Sequence, residues 1–242
     1  FKVVDSDDWL GQDALEKVCD TFREDVDSVL FRMLYVYSDG SQKDYQMAPF
    51  RTMTGVEAFQ ASLTWKIHGC YVVRNSIHMA YPYDESQRAY SDDNTTRIHY
   101  YYSRKVAYCE GIYYYRQQVA SVTHKVSVRR FDFLLANESM RRQLIALGAS
   151  EENLRCFETV RWLNLVGVYM FYYLHRNELS DADRQQGLSI MHHVWHTINI
   201  KQVSRSVRCK FGYMPLRFSW SLFRLQEELY FWLRELVGKN RE

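Results

Sequence analysis

The sequence predicts an α/β fold: a sheet with flanking helices over residues 1–128, then an α-helical C-terminal extension over residues 129–242. Two observations predict it. Up to about residue 116, short β-branched and aromatic runs alternate with segments of helical periodicity; beyond residue 129, helical patterns follow one another with no strand between them. A chain of 242 residues can bury one good-sized core, or a catalytic core with a small appended domain. There is no internal repeat and no low-complexity linker.

Taken in order, residues 1–4 are a short apolar run that stops at acidic residues, a strand ending in a loop. Residues 11–23 put Leu15, Val18, Cys19 and Phe22 at helical spacing. Residues 29–37 read as a strand that stops at Ser38-Asp39-Gly40-Ser41, a turn signal, and residues 45–53 as its return. Thr54-Gly55-Val56-Glu57 has capping-box spacing and opens a helix reaching Leu63. A loop over 81–91, a helix over 94–104 and short strands at 106–109 and 112–116 follow. Four helices complete the chain, at 131–147, 153–175, 181–200 and 219–237. Gly148 suits a C-terminal cap of the first, and Ser180-Asp181-Ala182-Asp183 a capping box for the third.

A net charge of +2 argues against a dedicated nucleic-acid binder, although acids crowd the start and bases dominate residues 201–217. Aromatic residues reach 16%, with 19 Tyr, a composition suited to stacking on sugars as well as to filling cores. Five scattered cysteines without a C-x-x-C pair fit reduced thiols in the cytoplasm. No secretory signal is visible, and the longest apolar stretch, 162–174, is too short to span a bilayer. The chain opens on Phe1 inside an expected strand, and the reading is of a piece whose N-terminal part is absent.

Asp5-Ser6-Asp7-Asp8 places three carboxylates within four residues at a strand end. Such oxygens repel one another unless a cation sits among them, and Mn2+ or Mg2+ suits that donor set. A solvated acidic loop accounts for the same residues. Asp92 and Asp93 stand before another helical stretch, where a carboxylate can serve as a base or as an N-cap.

The string FKVVDSDDWL resembles the metal-binding strand of family 2 glycosyltransferases, which have the GT-A fold. A second similarity runs from Ser91-Asp92-Asp93 through Lys105-Val106-Ala107-Tyr108 to Tyr113-Tyr114-Tyr115-Arg116-Gln117, although relatives usually carry Glu-Asp where this chain has Ser91-Asp92. The resemblance covers about residues 1–125. It implies a partial GT-A-type mixed sheet, with Asp7 and Asp5 on the divalent metal and Asp5, Asp8, Arg116 and Ser121 on the donor side. It further implies Asp92 as the catalytic base, with Asp93 one residue out of register, and Trp65 and His68 on the acceptor side. The activity implied is inverting transfer of a sugar from a nucleotide-sugar donor to a glycan or lipid-linked acceptor, in bacterial surface polysaccharide synthesis. The segment preceding the metal strand, which holds base and ribose in relatives, is missing, so the chain alone is expected to bind a sugar nucleotide weakly and not to turn over.

Several residues carry a second reading. Trp65 can be a sugar platform or lie under the sheet, and Arg116 can face a diphosphate or be an ordinary edge-strand residue. His192, His193 and His196 lack a zincin Glu and a third ligand, and read as a His-rich helix surface. Leu222, Leu225, Leu229, Trp232 and Leu236 form a stripe on the last helix, whose default reading is packing against the catalytic core; peripheral contact with the inner face of the membrane is the other. The alternative to an enzyme is a helical interaction or membrane-docking module with a remnant acidic motif.

Overall fold

The computed structural model describes residues 1–84, 90–117 and 126–240. It divides into two compact units, Phe1–Glu85 with Ser91–Lys125, and Ser86–Tyr90 with Val126–Glu242.

The first unit is built on a mixed sheet. Strand β1 (Trp9–Leu10) is followed by helix α1 (Ala14–Thr21), strands β2 (Ser28–Val36), β3 (Gln42–Asp44) and β4 (Thr52–Thr54), and helix α2 (Gly55–Ser62). Strand β5 (Tyr71–Val73), helices α3 (Asn75–Ala80) and α4 (Ser91–Tyr102), and strand β6 (Lys105–Arg116) complete it. The long strands β2 and β6 run parallel, with Ser28 opposite Val106 and Val36 opposite Arg116. The short strands pair antiparallel with them: β1 and β4 on β6, β3 and β5 on β2. One apolar layer lies under α1 (Val18, Val29, Phe31, Tyr113) and another under α2 and α4 (Leu30, Ala58, Ile67, Tyr100).

Four expectations change. Residues 1–4 form no strand: Phe1 exchanges backbone hydrogen bonds with Val73, after which the chain leaves the sheet. Residues 45–51 are irregular, with Pro49 unable to donate to a ladder, so the expected return strand is two short pieces, β3 and β4, on different partners. The strands at 106–109 and 112–116 are one, β6, whose pairing slips between Leu30 and Arg32. Gly111 sits at that slip, where a Cβ would lie 2.7 Å from the Ala14 carbonyl oxygen. Helix α4 starts at Ser91, so Asp92 and Asp93 occupy its first turn instead of a preceding loop.

Asp27 ties the corners of this unit together. Its carboxylate accepts from Arg74 Nε (2.8 Å) and from the backbone N–H, Nε and Nη2 of Arg104 (2.8, 2.9 and 2.8 Å). Burial pushes its pKa up, but these bonds outweigh that and hold the group below the usual carboxylate range. At Thr54 the capping box forms as expected, with Glu57 and Thr54 bonding reciprocally.

The second unit is helical. Helices α5 (Asp132–Ala146), α6 (Glu151–His175), α7 (Asp181–Thr197), α8 (Arg205–Arg208) and α9 (Trp220–Leu236) follow a 3-10 turn at Val128–Phe131. Trp162, Leu165 and Tyr169 of α6 pack with Met191 and Trp195 of α7 and with Phe223 and Phe231 of α9. Gly148 adopts φ 69°, the left-handed cap anticipated for it, and Ser180 accepts from the Asp183 amide. A buried Glu158 is held by Arg161 (2.9 Å) and Arg141 (2.9 Å).

Helix α9 departs from its default reading. Phe223, Gln226, Glu227 and Phe231 are its buried face, while Leu222, Leu225, Leu229, Trp232 and Leu236 stay exposed. No helix among the described residues is long and apolar enough to cross a membrane.

Candidate active site

The acidic motif is anchored to the sheet by its last residue. Asp8 accepts from the Tyr113 hydroxyl (2.8 Å) and, through its other oxygen, from the Arg116 amide (2.9 Å), both on β6. Burial, with Asp7 and Asp5 adding to it, raises the Asp8 pKa, and those two bonds oppose the rise. Asp8 is therefore a fastener, which holds the Asp5–Asp7 turn against β6. Asp5 is exposed and Asp7 half-buried.

Asp5 and Asp92, 87 positions apart in sequence, line one cleft of about 150 Å³, with Lys2, Cys70, Tyr71, Tyr83, Thr96 and Tyr113 among its other walls. Asp92 reaches it from the first turn of α4, which Asn94 and Thr95 tie to Asp84 (2.9 Å each). Asp92 is exposed, whereas Asp93 is turned inward, and burial pushes its pKa up to about 6 against the pull of Arg97. The cleft thus separates the two candidates for a base: Asp92 faces it and Asp93 does not line it.

Several other titratable groups line the cleft or, as His99 does, bond to one of its walls. Burial pushes the Cys70 thiol up to about 12, which removes it as a thiolate nucleophile. Burial holds His99 down to about 4, hence neutral; its Nε2–H donates to the Tyr81 carbonyl (2.8 Å), so Nδ1 must accept from the Tyr71 hydroxyl (2.6 Å). Tyr71 and Tyr113 are raised by burial and stay phenols. Asp5 and Asp92 are the exposed carboxylates that line the cleft.

Lys2, which sequence reasoning passed over, supplies the cleft's positive charge. Its ammonium lies 4.5 Å from the Tyr113 ring centroid and 5.9 Å from that of Phe31. Burial lowers its pKa, while Cys70, Asp5 and Asp8 work the other way. A single Lys inside an otherwise apolar run was the available signal.

The remaining expected site residues fall elsewhere. The Arg116 guanidinium stacks over Trp9 (5.2 Å), whose ring stacks on Tyr114 (5.1 Å). Trp65 and His68 do not line the cleft. Trp65 carries the buried Arg97 guanidinium over its ring (5.0 Å), and its carbonyl accepts from Tyr45. His68 is 3% exposed, its Nδ1 accepts from the Cys70 amide (3.2 Å), and burial holds it down to about 3. Ser121 lies outside the described residues. On α7, His192 and His196 bring their Nε2 atoms within 3.0 Å, and His193 meets Glu138 at 3.0 Å.

Whether a divalent cation fits turns on which oxygens remain available. Among the described residues no group of three or more His, Cys, Asp or Glu is placed to hold a metal, and both Asp8 oxygens are engaged. Mg2+ and Mn2+ commonly take one or two carboxylates and complete their shell with water and substrate phosphate; of the motif, Asp5 is the carboxylate that lines the cleft.

No protein-family model matches the chain, and no curated protein matches it. Among solved structures it is similar to the crystal structure of S. aureus TarS 1–349 in complex with UDP-GlcNAc, with a TM-score of 0.68 and 15% identity. The match covers 95% of this chain and 66% of that one, so the chain spans about two thirds of its neighbour's length. The likeness shows the fold: a mixed α/β sheet with flanking helices, followed by helices.

Proposed function

We propose that the chain forms the metal and acceptor side of a family 2, nucleotide-sugar-dependent glycosyltransferase acting in surface polysaccharide synthesis. One observation carries the reading: on a GT-A-like fold, the acidic turn and the first turn of α4 present Asp5 and Asp92 to the same cleft. UDP-GlcNAc, bound by the structural neighbour, is the first donor to try.

In this reading Asp92 takes the proton of an acceptor hydroxyl as that oxygen attacks the anomeric carbon. The bond to the diphosphate breaks on the opposite face, giving inversion. Asp7 and Asp5 would hold Mn2+ or Mg2+, which when bound offsets charge on the departing diphosphate. Lys2, already inside the cleft, adds a fixed positive charge toward the same oxygens. Arg116 and Ser121 belong to the donor side, with Asp8 fixing the turn that carries Asp5 and Asp7. Trp65 and His68 would belong to the acceptor side, and a glycan or lipid-linked hydroxyl enters beside the exposed Tyr83. The site faces the cytoplasm, where sugar nucleotides are made.

The test is release of nucleoside diphosphate from a panel of sugar nucleotides by the protein that carries this chain, with Mn2+ and with EDTA. Release from one donor, abolished by EDTA and restored by Mn2+, is the expected result. Undiminished release in EDTA would remove the metal assignment, and no release from any donor would sink the transferase reading.

A further inference from the structure

The outer face of α9 is left uncovered among the described residues. Leu225 is 64% exposed, Leu236 65% and Trp232 50%, and with Leu222 they follow one another, through Leu229, at three- and four-residue steps along a single stripe; Phe218, 90% exposed, precedes the helix. Scattered exposed apolar residues are ordinary, but a contiguous stripe of this kind marks a surface that meets something.

The charges around the stripe say what it meets. Between Asp183 and Glu227 the chain holds seven Lys and Arg and no Asp or Glu. Lys201, Arg205, Arg208 and Lys210 among them are exposed. The loop that follows α8 packs on α9 itself: the Phe211 and Tyr213 rings lie 5.7 and 5.6 Å from that of Tyr230, and Lys210 sits 4.7 Å over Tyr213. Lys210 is thereby held beside the Tyr230 flank of α9. Of the acids of α9, Glu227 is buried, Glu228 pairs with Arg176 (2.7 Å), and the exposed Glu235 accepts from the Tyr173 hydroxyl (2.9 Å).

We infer that α9 and the basic loop preceding it form a docking face for an anionic phospholipid surface. The helix lies along the membrane plane, its Leu, Phe and Trp side chains enter the acyl boundary, and Arg208 and Lys210 meet the headgroup phosphates. Trp232 and Phe218 suit the interface, where an apolar body and a wet edge coexist. A second copy of the chain fits less well, because an isologous seam would bring the same cations together. This inference rests on the helical unit alone and stands apart from the transferase reading.

The experiment is co-sedimentation of the protein with vesicles of phosphatidylcholine alone and of phosphatidylcholine mixed with phosphatidylglycerol. Binding is expected only to the anionic vesicles, falling as salt is raised. Leu225→Asp and Trp232→Ser should each weaken it about tenfold or more, because each deletes an inserted apolar group. The paired Arg208→Glu, Lys210→Glu variant should lose the preference for anionic lipid. All these positions are exposed, so native circular dichroism in every variant is the expected accompaniment. Failure of the folded wild type to bind anionic vesicles would overturn the inference, as would unchanged binding by folded Leu225→Asp. A lipid-free dimer that Leu225→Asp dissociates would assign the stripe to a second copy and overturn it too.

Discussion

Glu227 sits on the inner face of α9 with no exposed surface, and the substitution Glu227→Gln tests what that burial does. One carboxyl oxygen accepts from Gln226 Nε2 (3.0 Å), which also donates to the Met214 carbonyl (2.9 Å); the other has no hydrogen bond among the described residues. Burial pushes the pKa up from 4.5 to about 8, and the Gln226 bond only softens that rise. The folded chain thus keeps a proton that the unfolded chain releases above about pH 4.5, so stability falls as pH rises and levels off above about pH 8. At about 1.4 kcal/mol per pKa unit, the loss between the unfolded value and neutrality is roughly 3 kcal/mol. Gln cannot ionise, so the stability difference between Glu227→Gln and wild type should grow by roughly 3 kcal/mol from about pH 5 to about pH 8, roughly 10 °C in midpoint. Thermal melts followed by circular dichroism read it, and comparison across pH cancels the fixed cost of the new amide. Parallel pH profiles for the two proteins would refute the reasoning.

Three further outcomes follow from the first unit. Gly55→Ala should cost about 3 kcal/mol or prevent folding, because its Cβ would lie 1.9 Å from the Ser103 carbonyl oxygen and 2.4 Å from that of Tyr100; urea unfolding measures it. Asp27→Asn should cost about 2 kcal/mol at neutral pH by weakening charged bonds to Arg74 and Arg104. Since Asp27 is held below its ordinary value, that loss should shrink as pH falls through about 4, where wild-type Asp27 gains its proton on unfolding. Lys2→Met should leave stability unchanged or raised, by removing a buried ammonium, while donor affinity in calorimetry drops about tenfold.

What the sequence made legible was local. The Thr54 capping box, the Ser180 cap, the Gly148 turn and the long periodic helices depend on residues a few positions apart, and each appears where the spacing places it. What it hid depends on distant partners. The continuity of β6 across Gly111 is set by β2, and the division of labour within Asp5-Ser6-Asp7-Asp8 by Tyr113 and Arg116, more than 100 residues on. Lys2 reads as an interruption until the Tyr113 ring is beneath it. The α9 stripe shows the opposite limit: periodicity located an apolar face, but the buried side carries Glu227 and Gln226 while the leucines look outward.

The account stands most directly on Asp92, and its kinetics with a matched donor and acceptor decide it. Asp92→Asn, in the protein that carries this chain, should lower kcat by about 10²- to 10⁴-fold while KM for the donor changes little, because the lost group acts on the acceptor proton. Turnover at the wild-type rate, with Asp92→Asn folded, would contradict the assignment of the cleft as the place of transfer.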